Sequence, residues 1–147
     1  MDEAQKKVFN SLSKRCSGRE CCLSELRPKA LTALDGDSAR AEEVLSALVE
    51  EGFVDESRYA GAFARDKASL AGWGPVKIRR ALCAKGIGRE AIDAALDLAN
   101  NPKAEEKLLK LLEARRRSLE GDPQARLKLI RYALSRGYEY DSIKDKV

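Results

Sequence analysis

The sequence predicts an all-α fold, and three observations carry the expectation. Of 147 residues, 44% are hydrophobic and 35% charged, but only 5% aromatic. That balance suits helices with broad solvated faces, whereas a β-sandwich or barrel needs more Val, Thr and aromatic residues. Apolar residues recur four apart, as in Val44 and Leu48 or Ile78 and Leu82, which is helical spacing. Helix-starting prolines (Pro75, Pro102) and helix-stopping glycines (Gly52, Gly86, Gly137) punctuate the chain. The length is enough to bury a core.

The elements follow from that punctuation. Residues 1–15 carry Val8 and Leu12 among Lys6, Lys7, Lys14 and Arg15, an amphipathic first helix. Ser17-Gly18-Arg19-Glu20 reads as a capping box, so a second helix is expected to begin there and to be bent or interrupted by Pro28. Asp35-Gly36-Asp37-Ser38 reads as a turn and an N-cap for a third helix, running to Glu51 and stopping at Gly52. Asp55 caps a fourth, which ends before Gly72-Trp73-Gly74. Pro75 opens a fifth that runs to Lys85 and stops at Gly86, and a sixth spans 89–99. Asn101-Pro102 starts the seventh, and Asp122-Pro123 repeats the device for the eighth, which stops at Gly137. The ninth covers about residues 139–146.

Three stop glycines share surroundings: Val44, Leu48, Gly52, Phe53; Ile78, Leu82, Gly86, Ile87; and Leu129, Ala133, Gly137, Tyr138. Two apolar residues four apart precede each glycine, and a bulky apolar residue follows it, as in a C-cap that folds back on the last turn. Ile92 and Ile143 recur six positions after two of them. The unequal spacing makes this a divergent tandem of three three-helix modules, 1–54, 55–100 and 101–147.

Charge is unevenly placed. Residues 1–56 hold 8 basic and 12 acidic side chains, 57–100 hold 8 and 4, and 101–147 hold 12 and 8; the total is +4. A basic C-terminal two-thirds suits phosphates or an acidic protein surface. No apolar run approaches a membrane span and the start lacks signal-peptide character, so a cytoplasmic protein without membrane association is expected. Cys16, Cys21, Cys22 and Cys83 contain no CxxC pair, and there is no histidine; small buried thiols are expected, with no metal and no cofactor. The absence of histidine, of a GxSxG elbow and of phosphate-binding glycine loops argues against an enzyme.

The richest stretch is RYAGAFARDKASLAGWGPVKIRRAL, residues 58–82. Tyr59, Phe63 and Trp73 suit packing within the helical modules better than recognition, together with Ile78 and Leu82. Those last two fix the buried side of their helix, so Lys77, Arg79, Arg80 and Lys85 form the best candidate binding surface, and Arg58 and Arg65, at the border of the Tyr59 and Phe63 side of the fourth helix, are further binding candidates. Arg115, Arg116 and Arg117 close the seventh helix, where the dipole favours cations. With Arg131 and Arg136 they also suit a stripe for a phosphate backbone or an acidic protein surface.

The segment 52–96, with its RYAxAFxxDK and WGxxKIxxxLxxKGI blocks, resembles the central signature of the RecX family of recombination regulators, in the form seen in Bacteroidetes. Arg15-Cys16-Ser17 with Glu20, and the run Leu129 to Tyr138 ending in Arg-Gly-aromatic, are similar to its first and closing motifs. The resemblance implies three tandem three-helix modules in an elongated, curved array. It also implies a non-catalytic partner of the RecA recombinase filament that suppresses ATP hydrolysis, strand exchange and coprotease activity in DNA repair and the SOS response; a monomer is expected. Departures are the Ala71-Gly72 step before Trp73 and the acidic first third. The alternative reading is a helical protein that binds single- or double-stranded DNA weakly and without sequence preference, independently of the recombinase. A recognition helix should offer amide side chains, and Lys77, Arg79 and Arg80 suit backbone contact instead.

Overall fold

The computed structural model describes residues 1–147. It contains nine helices and no strand: α1 (Glu3–Gly18), α2 (Leu23–Ala33), α3 (Ser38–Glu50), α4 (Glu56–Ser69), α5 (Pro75–Ala84), α6 (Arg89–Ala99), α7 (Pro102–Ser118), α8 (Ala125–Ser135) and α9 (Tyr140–Ile143). The all-α expectation is met. The chain divides into two compact units, 1–59 and 60–147, the division falling inside α4.

In the first unit, Leu12, Leu26, Leu34, Val44, Leu45 and Leu48 form the core, with Phe9 and Phe53 meeting edge to face at 5.9 Å. Its one buried polar side chain, Gln5, completes a capping box with Asp2, the two side chains each accepting the other's backbone amide at 2.8 Å. Gln5 Nε2 also donates to the Arg40 carbonyl at 3.2 Å and to Glu43 at 3.1 Å, which ties α1 to α3.

The expected start of the second helix is corrected here. α1 runs on to Gly18, and the Ser17 hydroxyl donates to the Ser13 carbonyl at 2.9 Å instead of capping a new helix. Leu12 and Cys16, four apart, are both buried, and that burial carries the helix another turn past Arg15. α2 begins at Leu23 and runs through Pro28 to Ala33, with Leu26 and Ala30 buried on either side of the proline. Cys21 and Cys22 lie buried ahead of α2, Cys22 being its N-cap, whereas Cys83 is exposed, unlike the buried thiol expected. Burial, with the neighbouring Cys21 adding to it, pushes the Cys16 thiol up to about 12.

Asp37, Asp55 and Asn101 cap their helices as the sequence suggests, accepting from the amides of Arg40, Arg58 and Ala104 at 3.1, 2.9 and 3.1 Å. Asp122 does not cap a helix opening at Pro123. It accepts the Gln124 amide at 2.8 Å and the Lys128 ammonium at 2.5 Å, forming a turn from which α8 starts at Ala125. α9 is a single turn, shorter than expected.

The three stop glycines share one geometry. Gly52, Gly86 and Gly137 have φ of 79°, 78° and 97°. The following Phe53, Ile87 and Tyr138 donate to Leu48, Leu82 and Ala133 carbonyls at 2.9, 3.1 and 3.3 Å. The glycine amides donate to Val49, Cys83 and Leu134 at 3.0 Å. This is the Schellman pair, and it needs the left-handed conformation. Gly86 and Gly137 close the middle helices of α4–α6 and α7–α9, while Gly52 follows α3, the last of the first three. The likeness at Gly52 is therefore one of cap chemistry, not of place in a three-helix unit.

Within residues 60–147, backbone is joined to backbone. The Gly74 amide donates to the Arg136 carbonyl at 2.7 Å, and the Val76 amide to the Gly137 carbonyl at 2.9 Å. No side chain caps α5, so the end of α8 satisfies donors at its start. A Cβ on Gly74 would lie 2.3 Å from the Gly137 carbonyl, and one on Gly137 would lie 2.4 Å from Lys77 Cβ. Only glycines allow this approach.

Candidate functional site

The feature with the clearest capacity for binding forms where α4 gives way to α5. Gly72 turns the chain at φ 70°, pressed so closely on Leu111 that a Cβ would fall 2.2 Å from Leu111 Cδ1. The Trp73 amide then donates to the Lys67 carbonyl at 2.8 Å, bringing the indole back toward α4. There it meets Phe63 edge to face, with ring centroids 6.1 Å apart.

Lysines gather on this aromatic pair. Lys67 Nζ lies 4.7 Å from the Trp73 centroid and 5.6 Å from Phe63; Lys77 Nζ lies 4.5 Å from Trp73, and Lys85 Nζ 5.6 Å from Phe63. The ring quadrupoles stabilise each ammonium, and the stems cover ring surface. Buried Ile78 and Leu82 hold α5 so that this edge is presented. Lys67 is a member that sequence reasoning missed; its i, i+4 spacing from Phe63 was the available signal.

The other candidates are distributed differently. Arg79 pairs with Asp93 at 2.5 Å, and Arg80 and Arg65 are exposed. Arg58 is held by Glu20 at 2.7 Å and the Gly52 carbonyl at 3.1 Å. Tyr59 is buried, its hydroxyl 3.0 Å from Glu25, and burial raises its pKa, with Cys22 and Glu25 adding to the effect.

At the end of α7, Arg115 stands 5.5 Å over the Tyr132 ring. Arg116 reaches Glu113 at 2.9 Å and the Lys146 carbonyl at 2.7 Å, while Arg117 meets Glu113 at 3.4 Å. All three are exposed, as is Arg131. Arg136, expected on that surface, turns inward instead: Nη2 donates to the Ala71 carbonyl and its buried Nε has no partner. Its guanidinium braces the joint at Gly74, where the Ala71 carbonyl would otherwise lack a donor.

Two family models match the chain. That described as the second three-helix domain of RecX covers residues 55–96, and that for the third covers 104–147. A regulatory protein RecX of Pseudomonas putida (strain W619) is 31% identical over 140 residues, spanning 92% of this chain and 83% of that protein. This chain belongs to the RecX family. A RecX of Clostridium botulinum (strain Eklund 17B) is 33% identical over 121 residues, covering 80% of this chain but 55% of that protein. One from Halalkalibacterium halodurans is 30% identical over 146 residues and covers 98% and 54%. The chain thus spans little more than half the length of some RecX relatives. A crystal structure of regulatory protein RecX superposes with a TM-score of 0.82 at 26% identity, over 97% of this chain and 72% of that one. The structure of RecX from Lactobacillus salivarius, 24% identical, shows the same fold with a TM-score of 0.81 over 99% and 96%. The family is one of regulatory proteins.

Proposed function

We propose that this RecX-family chain binds the RecA recombinase filament and restrains its ATP hydrolysis, strand exchange and coprotease activity, without catalysis of its own. The modules acting in it are 1–54, 55–100 and 101–147. The observation that carries the reading, beside family membership, is the lysine cluster on Phe63 and Trp73. Two ammoniums over one indole repel each other, and an anionic partner relieves that repulsion. Lys77, Arg79, Arg80 and Lys85 meet acidic protein loops of the filament, and Arg115, Arg116, Arg117 and Arg131 extend the contact. Many modest contacts across neighbouring subunits make the hold depend on the assembled filament. Arg136 acts as an internal brace in this reading, because its guanidinium turns inward onto the Ala71 carbonyl, while the exposed Arg58 ties the start of α4 to Glu20 and the Gly52 carbonyl.

The test is the ATPase rate of the cognate recombinase on single-stranded DNA, titrated with this protein and with a variant carrying Lys77→Ala, Arg79→Ala, Arg80→Ala and Lys85→Ala. The expected result is inhibition well below one molecule per recombinase subunit, weakened in the variant while its helical circular dichroism is retained. No inhibition at stoichiometric excess, with salt-sensitive binding to the DNA alone, would replace this reading with that of a sequence-indifferent DNA-binding protein.

A further inference from the structure

The helices of residues 60–147 leave a cleft of about 560 Å³ that shares Trp73 with the lysine cluster but is lined by neither Lys67, Lys77 nor Lys85. Close-packed domains rarely leave space of that size, and it falls in the range of pockets that hold a ligand or an anchoring side chain. The backbone bonds from Gly74 and Val76 to Arg136 and Gly137 fix Trp73 and Pro75 relative to Tyr138, so these parts of its wall are held in place. It is therefore preformed.

Its chemistry is selective. Ile78 and Leu108, both buried, line it along with Trp73 and Tyr138. Two carboxylates, Asp97 and Glu105, also line it. Lys146 lies 3.6 Å from Glu105, but no cation of the chain pairs with Asp97. The neighbourhood of Glu105 is one of the influences holding the Tyr138 pKa above its ordinary value, after burial itself. An acidic rim over an apolar floor, in a part of the chain that is otherwise basic, complements a side chain with an apolar stem and a cationic head. A planar guanidinium meets a carboxylate with two parallel hydrogen bonds, which an ammonium does not.

We propose that this cleft receives an arginine side chain presented by a partner protein, its methylenes against Ile78 and Leu108 and its guanidinium on Asp97. The proposal does not depend on the recombinase being that partner, and it uses none of the cations assigned to filament binding. Lys146 is the chain's own competitor at the rim, so removing it should strengthen the site.

The test uses the full chain labelled with nitrogen-15 and blocked arginine (N-acetyl, N-methylamide) as probe, with blocked citrulline and blocked norleucine as neutral comparators. Trp73 is the only tryptophan, so its indole resonance needs no further assignment. The expected result is a saturable shift of the Trp73 indole and Asn100 side-chain signals with blocked arginine, and binding at least about tenfold weaker for citrulline. Asp97→Asn should abolish that preference and Lys146→Ala should sharpen it. Both positions are solvent-accessible, and an unchanged spectrum elsewhere verifies the fold. Equal binding of arginine and norleucine would overturn the proposal in favour of a merely apolar pocket. Shifts scattered over surface carboxylates, or none at all, would overturn it outright.

Discussion

Asp2 joins two roles in one side chain, half of the capping box and an ion pair. It accepts the Gln5 amide at 2.8 Å, completing the capping box at the start of α1, and meets Arg40 at 2.7 Å. The Gln5 amide first, and then Arg40, hold its carboxyl below the ordinary value of 3.8. A lowered carboxyl pKa contributes stability that is complete above the unfolded value and lost as pH falls through the folded one. Asp2→Asn keeps a good N-cap but removes the charge. The expected outcome is a melting temperature lower than the parent's at neutral pH, the gap closing below about pH 4. Thermal melts of both proteins across that interval check it. A gap that stays constant down to about pH 3 would mean that the Asp2 charge contributes nothing to α1.

The Schellman caps separate conformational strain from steric conflict at the level of the element. A Cβ on Gly86 meets nothing within 4 Å, so Gly86→Ala carries only the cost of holding an L-residue at φ 78°. That cost is about 1–2 kcal/mol. Gly137→Ala adds a collision with Lys77 to the same strain, and its loss of stability in urea melts should be clearly the larger. Equal losses would show that the joint around Gly74 yields without resistance. These caps were legible in the sequence because glycine, proline and Asn or Asp at helix ends act through local chemistry alone. The start of α2 was not, because the burial of Cys16 carries α1 through a competent-looking capping box. Lys77 and Lys85 were legible as the basic side of the helix that Pro75 opens, but their convergence on Phe63 and Trp73, which leaves both half-buried, depends on the turn at Gly72. Arg136 was misplaced because its partner, the Ala71 carbonyl, lies 65 residues away and backbone acceptors leave no mark in a sequence.

For the molecule as a whole, the joint between the α4–α5 turn and the end of α8 governs how two sets of three helices act together. Gly74 and Gly137 look like ordinary turn and stop glycines in sequence, yet each leaves room for the other's backbone. Gly74 has φ −84°, so an alanine there suffers no backbone strain, and the whole effect of Gly74→Ala comes from forcing the Gly137 carbonyl away. Two backbone donors then lose their acceptors, at a cost of about 2–4 kcal/mol. The expected outcome by hydrogen exchange is rapid loss of protection at the amides of residue 74 and Val76, while amides of the core around Leu45 and Leu48 exchange as before. If residue 74 stays as protected as in the parent, the joint does not hold these helices together. A loosened joint should also weaken any partner engaged by both α5 and the end of α7, because separate weak contacts reinforce one another only while their spacing is fixed. Gly74→Ala would then reduce recombinase inhibition although it removes no charge, an effect that cannot be assigned to the lysine cluster itself.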